Sequence, residues 1–82
     1  MLKPECVLKL KEQFKSEIMA YNSYKMIVNM TSDGYLKEAL DEVMYDEYLH
    51  AKFIRSYLIE NNAYDPMQNE ELEKMFAAIL SD

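Results

Sequence analysis

Apolar positions recur every three to four residues along almost the whole chain, the spacing of amphipathic helices. Lys3-Pro4-Glu5 has the form of a helix start, with proline in the first turn and an acid beside it. Helical periodicity then runs to about Met30. Thr31-Ser32-Asp33-Gly34 is the one strong break in the first sixty residues. It joins capping residues to the chain's only glycine. A second helix is predicted from about Tyr35 to about Glu60, ended by Asn61-Asn62. Asp65-Pro66-Met67-Gln68 is a further start signal, and a shorter third helix should run over about 66–80. The predicted fold is all-α, a single domain over 1–82. It is a long antiparallel two-helix hairpin (about 4–30 and 35–60) plus a short C-terminal helix.

At about 100° per residue, one face of helix 1 gathers Leu10, Phe14, Tyr21, Tyr24 and Val28. One face of helix 2 gathers Leu36, Leu40, Val43, Met44, Ala51, Ile54 and Leu58. Each stripe is interrupted by a carboxylate, Glu17 in the first and Glu47 in the second, with His50 flanking Glu47. An ionised carboxylate on a core face is costly unless paired or metal-bound. Helix 1 also carries an apolar strip on its opposite side, Leu8, Met19, Met26 and Met30. It predicts further helices packing outside the hairpin.

Size sharpens this reading. The chain has 82 residues, half of them hydrophobic, with one glycine, two prolines and one cysteine. A core this small supplies only ~3–5 kcal/mol, so such chains recruit disulfides, metals or partner chains. Cys6 has no second cysteine to pair with and is expected as a small buried hydrophobe. A metal, an oligomer or both remain. The net charge of −6 disfavours nucleic-acid binding. Residues 1–30 are net basic and 31–82 strongly acidic, which suits helices packing against each other. The N-terminal residues form no apolar leader, and no apolar run reaches a membrane span. The expectation is a cytoplasmic protein.

Glu17 and Glu47 lie equally far from Ser32, one before and one after. At ~1.5 Å per residue both stand ~22 Å from the turn. An antiparallel hairpin therefore sets them at one height. His50, at i+3 from Glu47, points the same way. Carboxylates with an imidazole suit iron or manganese, and also zinc. They form half of the ligand set of carboxylate-bridged dimetal bundles, and a twofold dimer would complete it. The plainer alternatives are a buried salt bridge from Glu17 to Lys25 or Arg55, and a core histidine bonded to a carboxylate. Tyr21 and Tyr24 share Glu17's face and are candidates to hydrogen-bond a ligand, though core packing with the hydroxyl reaching a carboxylate is the favoured explanation; Tyr57 is a weaker candidate of the same kind. Asp46 points ~100° away and is read as surface or interface. Leu72, Met75, Phe76 and Ile79/Leu80 make the third helix an amphipathic packing element.

With Glu17, Glu47 and His50 in the pattern Glu-x29-Glu-x-x-His, the chain resembles the ferritin-like superfamily, within it the short encapsulated ferritins. Ser16–Tyr24 and Ser32–Asn62 carry the resemblance, the run Asp46-Glu47-Tyr48-Leu49-His50-Ala51 above all. It implies a di-iron ferroxidase acting in iron storage or detoxification. Glu17, Glu47 and His50 would be the catalytic and metal-binding residues, with two iron ions at each homodimer interface. It further implies a ring of dimers, in a bacterial or archaeal cytoplasm, inside an encapsulin shell. The chain departs from that pattern in several places. Ser16 and Ala20 stand where flanking acids form a secondary metal-uptake site, and the tryptophan near the first ligand is absent. Ser81-Asp82 shows no shell-targeting tail, and there is no Cys-x-x-Cys pair for a rubredoxin module. Rival readings are a rubrerythrin-like peroxide reductase, a dimanganese protein, and a non-enzymatic helical interaction module.

Overall fold

A computed structural model describes residues 2–81; Met1 and Asp82, the outermost residues of the two chain ends considered above, lie outside it. Three α-helices follow one another, α1 Pro4–Met30, α2 Gly34–Glu60 and α3 Glu70–Leu80, with a 3₁₀ turn at Pro66–Gln68 before the last. The described residues form no strand.

The hairpin turn is made by caps. Thr31 and Asp33 are extended, and Asp33 accepts from the backbone N–H groups of Tyr35 and Leu36 at 2.9 and 3.2 Å. Those bonds satisfy donors that a helix start leaves orphaned. Gly34 is thereby the first residue of α2; its φ is not positive, and a Cβ there would meet nothing within 4 Å. The break therefore rests on Asp33 and not on glycine. At the far end of α2, Asn62 takes the left-handed conformation (φ 55°). The Ala63 N–H bonds Leu58 O at 2.8 Å and the Asn62 N–H bonds Ile59 O at 3.0 Å. This is a Schellman ending with asparagine in glycine's usual place.

The third helix differs from the sequence expectation at its start. Asp65 does cap, accepting from the Met67 N–H at 2.9 Å, but the turn it caps is only three residues long. Asn69 leaves helical geometry (φ −132°, ψ 48°) and donates its side-chain amide back to Asp65 O at 2.8 Å. The α-helix proper begins at Glu70, where three acids, Glu70, Glu71 and Glu73, favour the positive end of its dipole.

The core lies between the hairpin and α3. Phe14, Ile18 and Leu58 are fully buried, joined by Tyr21, Met44, Ala51, Ile54, Tyr64, Phe76 and Ile79. Phe76 packs on Phe14 (centroids 5.5 Å apart) and stacks on Tyr48 (6.5 Å), and Phe14 meets Tyr64 edge-on at 5.8 Å. Arg55 lies over the Phe76 ring at 5.3 Å. It also grips Glu73 by two bonds of 2.9 and 2.7 Å, and the Tyr64 hydroxyl donates to the same carboxylate at 2.7 Å. The Arg55 hydrogen bonds hold the Glu73 carboxyl below its ordinary range against the opposing effect of burial, with Tyr64 assisting. Burial, then the Glu73 contact, pushes the Tyr64 hydroxyl up.

α3 thus covers one flank of the hairpin only. His50 and Tyr57 stand ~200° round α2 from Tyr48 and Arg55, which touch α3, so they face the other side. That flank has no covering element among the described residues, and the molecule measures 46 × 20 × 16 Å with a radius of gyration of 14.2 Å. A compact chain of this length would have a radius of about 12 Å. Its accessible surface is 5956 Å², where a globular monomer of its mass shows about 5,100 Å². Cys6, expected inside, is exposed near the start of α1. The outer strip of α1 is open to solvent, with Leu8, Met19, Met26 and Met30 between 53% and 80% exposed. No helix among the described residues is long and apolar enough to cross a membrane.

Candidate metal centre

Glu17 sits midway along α1, one turn after the fully buried Phe14 and one turn before the buried Tyr21, so the helix turns its carboxylate inward. Only 9% of Glu17 is exposed, and it is the one buried charged residue described. Glu47 reaches toward it from α2, and His50 follows one turn later on the same side. One ligand atom from each of the three lies within 4.8 Å of the other two. The height match comes from the short turn at 31–33, which keeps the two helices in register.

The contacts around Glu17 divide its two oxygens. Oε1 accepts from the Gln13 side-chain amide at 2.9 Å. Oε2 lies 3.4 Å from His50 Nδ1. Arg55, an alternative partner for Glu17, is committed to Glu73 on the other flank. Burial raises the Glu17 pKa, but the hydrogen bond with Glu47, the Gln13 amide and the His50 ring together outweigh it and hold it low. Glu47 moves the other way, up to about 7, through the hydrogen bond with Glu17, then burial, then the Glu17 charge. Two carboxyl groups this close share a proton, because both cannot ionise cheaply. The metal-free pair is therefore a proton trap, and a divalent cation between the two groups would relieve the same repulsion.

His50 is 59% exposed at its side chain, so the constellation is open to solvent. The groove lined by Tyr21, Met44, Tyr48 and Ile79 lies toward α3 and does not include it. Tyr21 is buried and Tyr24 half-buried on the face that bears Glu17. Asp46 points to solvent, and Tyr57 stacks on Phe53 at 5.9 Å. Gln13 escaped the sequence reading, although its position one turn before Glu17 was the available signal. Two carboxylates and an imidazole are a donor set that binds iron, manganese or zinc, and their clustering at a costly buried carboxylate fits such an ion. Comparison with known protein families, with curated proteins and with solved structures finds no match.

Proposed function

We propose that two copies of the chain pack through their uncovered flanks into a four-helix bundle. In that bundle two sets of Glu17, Glu47 and His50 enclose a pair of metal sites, and the pair acts as a ferroxidase. The observation that carries this is the convergence of the three side chains within 4.8 Å, with His50 exposed on the side that α3 leaves bare. One chain offers two carboxylates and one imidazole, too few for two ions; a twofold axis doubles the set. The excess surface of the single chain is about 850 Å², close to one partner's share of a standard interface, about 800 Å². The ferritin-like reading, of the encapsulated-ferritin type, is part of this proposal.

Fe(II) is the substrate. Two Fe(II) give one electron each to oxygen, which with two protons leaves as hydrogen peroxide, or to hydrogen peroxide, which with two protons leaves as two waters. The metal pair supplies the two electrons together. The chain supplies the rest. Glu17 and Glu47 offer hard oxygen donors, and His50 a nitrogen donor that sits at the solvent edge. Glu47 gives up its shared proton as a cation arrives. The apolar strip of α1 supports further copies packing outside the dimer, giving a higher homo-oligomer.

Anaerobic titration with Fe(II), followed by oxygen or peroxide, tests the proposal through the ferric absorbance. Wild type should bind one iron per chain and develop the ferric band within seconds. Glu47→Ala should do neither. Wild-type protein that binds no Fe(II) would end the proposal.

A further inference from the structure

At the site, one contact joins a ligand candidate to a residue that is not itself a ligand candidate. Gln13 Nε2 donates to Glu17 Oε1 at 2.9 Å, from one turn earlier on the same helix. A carboxylate can bind a cation through one oxygen or both, and the outcome depends on which lone pairs are already taken. Here an amide takes one lone pair of Oε1, and Oε2 lies 3.4 Å from His50 Nδ1. Gln13 is neutral at every ordinary pH, so this donor neither titrates away nor adds a charge. Spaced four residues apart on one helix, the two side chains meet without any tertiary adjustment.

We infer that Gln13 is the positioning residue of the metal centre, holding Glu17 to a single-oxygen mode of binding so that a coordination position stays open on the ion. The inference rests on the metal-site reading above and deepens it. Partners that orient ligands in this way typically change metal affinity 10–100-fold when removed. Glutamate at this position would be the same shape but could not donate when ionised, and it would add a third carboxylate to the pair. Methionine would keep the volume and lose the donor. Gln13 is exposed at the helix surface, so neither change removes core packing.

Cobalt(II) reports coordination number through the intensity of its visible ligand-field bands, which fall as the ion gains ligands. Metal-free wild type, Gln13→Met and Gln13→Glu are titrated with Co(II), and each is melted in chelator. The expected result is cooperative melting of wild type and Gln13→Met without metal, Gln13→Met lower only by the loss of one hydrogen bond. Gln13→Met should bind Co(II) about 10–100-fold more weakly, with weaker visible bands as the released Glu17 binds through both oxygens. The side-chain amide protons of Gln13 should be shifted downfield in the metal-free nitrogen-proton NMR spectrum, and the shift should vanish in Glu17→Ala. Wild-type affinity and bands retained in Gln13→Met would overturn the positioning role while leaving the metal site standing. Failure of wild type to bind Co(II) or Fe(II) would remove both.

Discussion

Glu17 and His50 belong to different helices, yet Oε2 of the one lies 3.4 Å from Nδ1 of the other, with the Glu47 carboxyl beside them. Neither position is explained by packing. Glu17 is buried where an apolar side chain would cost nothing, and His50 stands in solvent. The arrangement makes sense as a set of donors, and it has consequences that can be measured.

Consider first the shared proton. The Glu47 carboxyl is raised from 4.5 to about 7 in the folded chain. Between those values the folded state holds a proton that the unfolded state has released, so stability falls as pH rises through that window. Glu17 is lowered, so its contribution is present above the unfolded value and is lost as pH falls through the lower folded one. Thermal melts in chelator should therefore place the pair's best contribution near pH 4.5–5, where one proton is shared. Glu47→Gln, which keeps the shape and stays neutral, should abolish the decline toward pH 7. Metal affinity of wild type should rise by about one proton's slope up to pH 7 as that proton is displaced.

Metal addition should stabilise the chain markedly. At a free-ion concentration a hundred times the dissociation constant, the gain is about 2.7 kcal/mol. For a domain of this size that raises the melting temperature by roughly 10–20 °C. His50→Ala should reduce the shift to a few degrees while lowering the metal-free melt only slightly, since the ring is mostly exposed and its contact with Glu17 is at 3.4 Å. Chelator should reverse the effect in wild type.

The clamp on α3 makes a separate prediction. Glu73→Ala removes two bonds from Arg55 and one from the Tyr64 hydroxyl and should cost about 2–3 kcal/mol. Urea unfolding measures this directly. Metal affinity should change little, because Arg55 and Glu73 lie on the α3 side, turned ~140° round α2 from His50. A large loss of affinity would show that α3 supports the site.

The uncovered flank can be tested by charge. Tyr57 is 37% exposed, one face round from the core and two turns beyond His50. Tyr57→Asp should fold, remain monomeric in analytical ultracentrifugation at metal saturation, and lose the two-ion stoichiometry. Met26→Asp, on the outer strip of α1, should leave the dimer intact and abolish only larger species.

The hairpin was legible in the sequence because two long periodic segments flank a single break. The clustering of Glu17, Glu47 and His50 was legible because the two carboxylates interrupt apolar stripes at equal distances from that break. Residues whose roles depend on tertiary neighbours were harder to read. Ile18 lies between the stripe positions of α1 and is nonetheless fully buried in the same core as Phe14 and Phe76. Arg55 was a plausible partner for Glu17 by charge, but it goes to Glu73 across eighteen residues of chain, through a helix whose docking angle periodicity does not give. Cys6 suggested burial by residue type, yet it falls near an open helix end with nothing to cover it. Asn69 carries an ordinary polar side chain; its bond to Asp65 O is what delays α3.

Anomalous diffraction at the iron edge, from crystals grown anaerobically with Fe(II), tests the central claim most directly. Two peaks related by a twofold axis, each within bonding distance of Glu17, Glu47 and His50 donors and lying between two hairpins, are the predicted result. Crystals showing no iron at these residues, or copies joined through another face with the three side chains still open to solvent, would contradict it.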